Sequence, residues 1–316
     1  DSSCQSGINV QSEGENLSDD MSDTSDIPCV FKELRDSRKR NPKQFLTGYL
    51  NINSFRHKFN EVYEILADNI VDLLFISETK LDTSFKDSQF TIPGYNLWRA
   101  DRNEKGGGVL AYLRSDIPGC RKEKFEFTHI ESIAIEINLR NGKWLIHGVY
   151  KSPSMPNSTF THDFYSTMDK TSMHYDNQVI IGDLNFNMLK PRGSQPLRDM
   201  CDIFDLQNRV TEPTCTTKNA ESTLIDVILT NKPNLCCNFT NFATGISDCH
   251  NFISFQLRGI TPRVSREYLQ YRSYRSFDKQ TCMEDLGHTP FHVAHIFDDV
   301  NDVYWASEGL LQEVFD

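Results

Sequence analysis

The sequence predicts an α/β fold in which two mostly antiparallel β-sheets pack together and are flanked by helices. The chain has 316 residues, of which 38% are hydrophobic, and this is enough for a sizeable core. Short apolar runs recur along it, and several are separated by only a few turn residues such as Asn141-Gly142, which is typical of antiparallel neighbours. Occasional stretches with helical spacing lie between these runs. Sheets with a few intervening helices favour the layered packing.

The individual elements follow from hydrophobic periodicity. Phe59, Val62, Tyr63 and Leu66 are spaced as on one face of a helix, which we place over residues 57–68. The same reasoning predicts helices at 161–175 and 196–208, and strands at 45–53, 71–77, 95–99, 109–114, 132–139, 144–150, 178–182, 224–229 and 252–257.

Composition divides the chain into three parts. Residues 1–44 are first acidic and then basic, and the opening 28 have few large apolar residues, so we predict that this segment is disordered. A central domain follows at 45–258. Residues 259–316 form a basic linker and then an acidic tail, in which Phe297, Val300, Val303 and Tyr304 are spaced as on one helix face. The chain begins at Asp1 instead of Met, so we expect it to be a fragment of a longer protein.

Charge and cysteine usage exclude several classes of protein. The net charge is −11, but residues 45–280 hold 27 acidic and 27 basic residues, so this central stretch of the chain is neutral. Nine cysteines without a CxxC pair suggest neither a disulfide framework nor a zinc ribbon, and we expect reduced thiols and an intracellular protein. No apolar run approaches the roughly 18 residues of a membrane span, so no membrane partner is expected.

Polar side chains follow several of the predicted strands. Asp183 and Asn185 come at the end of a β-branched run and share one face of an extended segment, as Asn51 and Asn53 do at the end of another. Glu78 follows a third buried strand. This layout is typical of catalytic groups at strand ends, although each motif alone also fits a polar turn or a helix cap.

One carboxylate stands inside an otherwise apolar strand. Asp226 is flanked by Leu224-Ile225 and Val227-Ile228-Leu229, and a buried unpaired charge is too costly to keep. It must therefore meet a cation, a histidine or a metal. The segment Ser247-Asp248-Cys249-His250 supplies a histidine, which alone could equally be a core histidine, and another carboxylate.

In this order the motifs resemble those of the endonuclease/exonuclease/phosphatase superfamily, over about residues 45–257. The resemblance implies a deoxyribonuclease-I-like four-layer α/β sandwich with the active site at one end of the two sheets. Within the superfamily, the chain is most similar to the endonuclease domain of non-LTR (LINE-type) retrotransposons. The segments that carry this similarity are Leu50-Asn51-Ile52-Asn53-Ser54, Glu78-Thr79-Lys80-Leu81, Arg99-Ala100-Asp101-Arg102, Gly106-Gly107-Gly108-Val109, Tyr150-Lys151-Ser152-Pro153, Gly182-Asp183-Leu184-Asn185 and the Asp226 strand.

The chain departs from the family at one point. The usual adjacent Ser-Asp-His is interrupted here by Cys249. A one-residue bulge would keep both Asp248 and His250 in place; otherwise Asp248 is displaced.

The resemblance assigns roles to specific residues. Carboxylate and amide oxygens select a hard cation, so we expect Mg²⁺, for which Mn²⁺ can substitute. Glu78 would be the main metal ligand, with Asn51 and Asn53 nearby and Asp248 as a further ligand. The implied catalytic residues are Asp183 for the water, Asn185 and Tyr150 for the phosphate or leaving group, and Asp226 to orient His250. Lys80, Arg102 and Thr214 are candidates for contacts with the DNA backbone. Asp183, His250 and the metal-bound water are all considered as the base in this family, and we favour Asp183.

Our leading hypothesis is a Mg²⁺-dependent endonuclease that nicks double-stranded DNA and leaves a 3′-hydroxyl to prime reverse transcription. Its partners would be the DNA and a reverse transcriptase domain beyond Asp316, and its location the nucleus. A phosphatase or phosphodiesterase acting on inositol phosphates or lipids is one alternative. A retroelement remnant that binds DNA or protein without catalysis is another.

Overall fold

The structure, a computed structural model, describes residues 31–218, 220–262 and 277–315. The predictions made for residues 1–30 and for the linker at 263–276 lie outside the described residues. The chain divides into two compact units, the second of which begins at Arg266. Among the described residues, none of the helices combines the length and apolar character that crossing a bilayer requires.

The described residues of the first unit contain twelve strands and four α-helices. The strands are β1 (Phe45–Asn51), β2 (Leu73–Ser77), β3 (Tyr95–Ala100), β4 (Val109–Arg114), β5 (Gly119–Arg121), β6 (Glu131–Leu139), β7 (Gly142–Tyr150), β8 (Asn177–Asp183), β9 (Gln207–Asn208), β10 (Asp226–Thr230), β11 (Cys236–Phe242) and β12 (Phe252–Leu257). The helices are α1 (Lys32–Arg40), α2 (Phe59–Ala67), α3 (Asn157–Ser172) and α4 (Pro191–Ile203). The second unit contains α5 (Lys279–His288) and α6 (Val300–Phe315).

The strands form two six-stranded sheets, in the orders β11-β12-β1-β2-β4-β3 and β5-β6-β7-β8-β10-β9. Most neighbours are antiparallel, as predicted, but β1 pairs with β2 and β7 pairs with β8 in parallel. Both parallel pairs are joined through a helix, α2 or α3, which is the connection that parallel strands require. Each sheet is therefore mixed.

The two sheets pack face to face over a large apolar cluster that includes Phe75 of β2, Ile146 of β7 and Phe255 of β12. Gly148 allows this close approach, since a Cβ atom there would lie 2.0 Å from the Phe75 ring. The outer faces are covered by helices. Leu34 of α1 and Val62 of α2 pack on the first sheet, and α3 and α4 pack on the second. The result is the four-layer sandwich that the resemblance implied.

The segment 1–44 was predicted to be disordered, and the described part of it contains α1. Leu34 is buried, and the Arg38 guanidinium donates to the fully buried carboxylate of Asp72 and to the Ile70 carbonyl. The basic run had suggested a solvated segment, but Phe31 and Leu34 pack against the sheet and one of the arginines of the run is anchored there.

The other differences concern short or ambiguous elements. β5, β9 and β11 were not predicted, since β9 has two residues, β5 has three and β11 alternates only weakly in polarity. α4 begins at Pro191 instead of residue 196, because both positions offer a proline suited to a helix start. In the second unit, α6 leaves Tyr304 and Trp305 exposed.

Candidate active site

Strands of both sheets end at the same place, and their terminal residues form the site. In the first sheet, Asn51 at the end of β1 lies beside Ser77 at the end of β2. Glu78 is the next residue after Ser77, so it lies close to Asn51. In the second sheet, Asp183 at the end of β8 pairs with Asp226 at the start of β10. The four polar side chains, which are far apart in the sequence, are brought to one end of the sandwich by these two registers.

The backbone turns sharply where these strands end. Asn53, Glu78, Lys80 and Asn185 all have left-handed φ values, between 49° and 53°. Non-glycine residues adopt this region at a cost, and such residues concentrate at functional sites. Gly182, with φ of 152°, precedes Asp183 in a position where a Cβ atom would lie 2.0 Å from the Val149 carbonyl oxygen. Only glycine therefore lets β8 approach β7 closely enough to place Asp183.

The Asn51 side chain joins the two halves of the site. Its Nδ2 donates to Glu78 Oε1 at 2.9 Å and to Asp183 Oδ2 at 3.0 Å. The two carboxylates therefore lie within two hydrogen-bond lengths of each other, as expected if they serve one site. Because Asn51 is fully buried, this bridge is shielded from solvent.

Asn51 also provides a test of whether the site suits a divalent cation. Its Oδ1 is buried and has no hydrogen-bond partner among the described residues. The two Nδ2 contacts fix the amide orientation, so the unpaired atom is the oxygen. A buried carbonyl oxygen beside a carboxylate is the donor set that Mg²⁺ prefers. Glu78 and Asn51 therefore fit the predicted cation.

His250 and Asp226 form a second polar group beside Asp183. The His250 Nδ1 lies 3.0 Å from Asp226 Oδ2 and 3.2 Å from Oδ1, and its Nε2 lies 4.0 Å from Asp183 Oδ2. Asp226 is fully buried, so this contact supplies the partner that its position in an apolar strand required. Because Nδ1 is bonded to Asp226, Nε2 is the ring nitrogen that is left to interact with a substrate.

Burial shifts the pKa values of this cluster. Burial and then the nearby charge of Asp226 raise the pKa of Asp183 to about 8, although His250 acts in the opposite direction. Burial alone would lower the pKa of His250, but the hydrogen bonds with Asp226 and Cys215 and the charges of Asp226 and Asp183 raise it to about 12. A carboxylate whose pKa is raised, as in Asp183, is suited to accept a proton. The neighbouring His250 imidazolium places a positive charge beside it.

Tyr150 and Asn185 flank this centre. Burial, followed by the charges of Glu78 and Asp183, raises the pKa of Tyr150. The phenol therefore stays protonated and can donate a hydrogen bond. The Asn185 backbone N–H donates to Asp183 Oδ1 at 2.9 Å, and its side-chain Nδ2 donates to the Lys151 carbonyl at 2.8 Å. One N–H of that amide remains for a ligand.

Asn53 and Asp248 lie in a different environment from Glu78. The Lys80 Nζ donates to Asn53 Oδ1, and Asn53 Nδ2 lies 3.4 Å from Asp248 Oδ2. The Lys58 Nζ is 3.7 Å from the same Asp248 oxygen, and the Asp248 side chain is 74% exposed. With Cys249 inserted before it, His250 still contacts Asp226, whereas Asp248 lies at the exposed rim of the site. The metal role of Asp248 stays a prediction.

Two of the three predicted DNA contacts are accessible and one is not. Lys80 is partly exposed, and Arg102 is 37% exposed while it pairs with Glu131 at 2.6 Å. The side chain of Thr214 is fully buried, and its predicted contact with DNA stays a prediction. Its Oγ1 accepts from the Asp226 backbone N–H at 3.0 Å, and it acts by holding the start of β10.

Sequence reasoning missed Tyr49. Its hydroxyl accepts from the Asp183 backbone N–H at 2.9 Å and bonds the Ser77 hydroxyl, so it ties the ends of β2 and β8 together across the sandwich. No sequence signal distinguished this tyrosine from a core aromatic. Its role depends on a contact between the two sheets.

Comparison with known proteins identifies the family of the chain. Residues 48–247 match the endonuclease/exonuclease/phosphatase family, and the chain belongs to this family. A comparison with curated proteins gave no match.

Solved structures of low sequence identity share the fold. The endonuclease domain of TRAS1, a telomere-specific non-LTR retrotransposon, is 15% identical, with a TM-score of 0.56 over 68% of this chain and 98% of that chain. The AP endonuclease from Leishmania major is 11% identical, with a TM-score of 0.59 over 71% and 90%. The 3′ phosphatase NExo from Neisseria is 15% identical, with a TM-score of 0.51 over 67% and 99%. The family and these nuclease and phosphatase neighbours support a hydrolase.

Proposed function

We propose that this protein is a Mg²⁺-dependent DNA endonuclease that nicks one strand and leaves a 3′-hydroxyl. The observation that carries the proposal is the Asn51 bridge between Glu78 and Asp183, with the Asp226–His250 pair beside it. A carboxylate for the cation, a carboxylate for the water and an imidazolium for the phosphate are the groups that phosphodiester hydrolysis needs.

The residues of the chain divide this work. Asp183, whose pKa is raised by burial, accepts the proton of the attacking water. His250 directs a positively charged Nε2–H toward the phosphoryl oxygens while Asp226 holds Nδ1. Tyr150 and the free N–H of Asn185 donate hydrogen bonds to the phosphate or the leaving oxygen. When bound by Glu78 and the Asn51 oxygen, Mg²⁺ would supply further charge neutralisation.

Cations at the rim give the proposed DNA interface. Lys58 and Lys80 surround Asn53 and Asp248, and Arg102 lies over the Tyr150 ring with its guanidinium carbon 5.9 Å from the centroid. Since residues 45–258 hold 25 acidic and 22 basic residues, affinity for DNA must come from this local edge. Binding should therefore be weak and should fall steeply with salt.

The setting we infer is a retroelement. The LINE-type motifs and the fold likeness to the TRAS1 endonuclease domain support this setting. The nick would then provide the primer for a reverse transcriptase domain of the same polypeptide, and the reaction would take place in the nucleus.

Plasmid nicking with Mg²⁺ tests the activity. The whole chain should convert supercoiled DNA to the open circle, and Glu78→Ala and Asp183→Ala should each reduce the rate by about 100-fold or more. Asp169→Ala, which removes an exposed carboxylate on α3, is the control and should nick normally. Supercoiled DNA left intact at high protein, or cut equally well by Glu78→Ala and Asp183→Ala, would rule the proposal out.

The same preparation separates the alternatives. Phosphate release from inositol phosphates without DNA cleavage would favour the phosphatase hypothesis. Retained DNA binding without turnover in any divalent metal would favour a non-catalytic remnant.

A further inference from the structure

Two thiols and an imidazole meet next to the catalytic cluster. Cys215, Cys249 and His250 each offer one ligand atom, and these three atoms all lie within 4.8 Å of one another. Cys215 and His250 are buried and Cys249 is partly exposed. Both cysteines are free thiols. The spacing of cysteines along the chain gave no sign of such a group, because Cys215 is distant in sequence from the other two.

Backbone pairing fixes the three residues in position. Cys215 faces His250 as an antiparallel bridge partner, and it faces Thr223 on its other side. Thr216 N donates to the Cys249 carbonyl at 2.9 Å, and Asn251 N donates to the Thr214 carbonyl at 2.7 Å. Two hydrogen bonds thus flank the bridge, so the thiols are held by the fold instead of meeting by side-chain motion.

The second thiol is the residue that interrupts the family's Ser-Asp-His order. Cys249 separates Asp248 from His250, yet His250 keeps its contact with Asp226. The insertion therefore leaves the orientation of the histidine intact and adds a soft ligand beside it.

This donor set selects a different metal from the one proposed at Glu78. Thiolate and imidazole ligands suit Zn²⁺, whereas carboxylate and amide oxygens suit Mg²⁺. Tetrahedral Zn²⁺ with bonds of about 2.3 Å to sulfur and about 2.0 Å to nitrogen needs ligand atoms about 3.5–3.8 Å apart. The observed spread requires only small side-chain rotations to reach that geometry. Three protein ligands would leave a fourth position for water.

We propose that Cys215, Cys249 and His250 form a Zn²⁺ site whose occupation inhibits the enzyme. Binding displaces the two thiol protons and the proton on one ring nitrogen of His250, which becomes a ligand, and all three protons are released to solvent. If Asp226 keeps Nδ1, the imidazole then has no N–H left to donate to the phosphate. The binding itself is independent of the proposed nuclease function, whereas the inhibition rests on it.

Metal titration under reducing conditions tests the binding. Co²⁺ added to the whole chain should give a thiolate-to-metal charge-transfer absorption that saturates at about one ion per chain and disappears on addition of Zn²⁺. Cys215→Ser and Cys249→Ser should each lose most of this absorption. Cys120→Ser and Cys237→Ser, which change other described thiols, should keep it. Thermal unfolding of each variant shows whether it is folded, and Cys215→Ala provides a second change at the buried position.

Nicking in Mg²⁺ tests the inhibition. A slight excess of Zn²⁺ should lower the wild-type rate by about 100-fold, the lower end of what an acid–base group contributes. Cys249→Ser, measured against its own Zn²⁺-free rate, should lose little. Equal inhibition of wild type and Cys249→Ser would place the Zn²⁺ effect elsewhere and overturn the inhibitory role. Unchanged absorption in folded Cys215→Ser and Cys249→Ser would overturn the site, whether or not the protein nicks DNA.

Discussion

The buried histidine of β7 makes stability depend on pH in a way that does not involve the active site. His147 is fully buried, and neither ring nitrogen has a hydrogen-bond partner among the described residues. Its ring packs against Phe127, with centroids 5.3 Å apart. Burial lowers the pKa of His147 from 6.5 to about 3, because nothing in this apolar setting compensates the charged form.

The size and direction of the effect follow from these two pKa values. Between pH 6.5 and pH 3 the unfolded chain binds a proton at His147 and the folded chain does not, so the free energy of unfolding falls as the pH falls. At pH 5 this group lowers the free energy of unfolding by about 2 kcal/mol relative to pH 8. The substitution His147→Leu removes the titrating group while retaining an apolar side chain of similar size.

Urea unfolding at pH 8 and pH 5, followed by tryptophan fluorescence, measures the effect. Trp144 is buried in the same strand and reports on this part of the core. The loss of stability between the two pH values should be about 2 kcal/mol smaller in His147→Leu than in wild type. His162→Leu, which removes an exposed imidazole on α3, is the control and should lose as much as wild type. Equal losses in wild type and His147→Leu would refute the reasoning.

Three further predictions concern the site and its scaffold. Thr214→Val removes the hydroxyl that accepts from the Asp226 N–H and should cost about 1–3 kcal/mol in urea unfolding; weaker DNA binding without loss of stability would contradict its buried role. Gly182→Ala should lower the melting temperature strongly, since its Cβ meets the Val149 carbonyl, whereas Gly193→Ala, with open space around it, should not. Asp226→Asn should reduce nicking by about 10²–10⁴-fold with unchanged DNA affinity, because His250 loses the carboxylate that orients it; an unreduced rate would remove Asp226 from the mechanism.

The fold class was predictable because its strands carry strong local signals. β4 and β12 have the predicted bounds, since a nearly continuous apolar run leaves little freedom in where the strand begins and ends. The parallel pairing of β1 with β2 was not predictable, because the order of strands in a sheet depends on long-range contacts. β11, which is half polar, was missed for the related reason that its pairing with β12 defines it.

The sequence by itself indicated which side chains form the candidate site. Strand periodicity and the cost of a buried charge identified Asp183 and Asp226. Glu78 followed a buried strand, His250 was the histidine available to Asp226, and the family resemblance supplied their roles. These residues are marked by their neighbours in the sequence or by the order of the motifs, and neither depends on how distant segments pack.

The tertiary structure decided how the side chains are connected. Tyr49 and Thr214 support the site through contacts between distant segments, and the Cys215–Cys249 pair exists only because two loops meet at His250. Periodicity describes one segment at a time. A hydrogen bond between two sheets, or a pair of thiols from two loops, is fixed by register and packing.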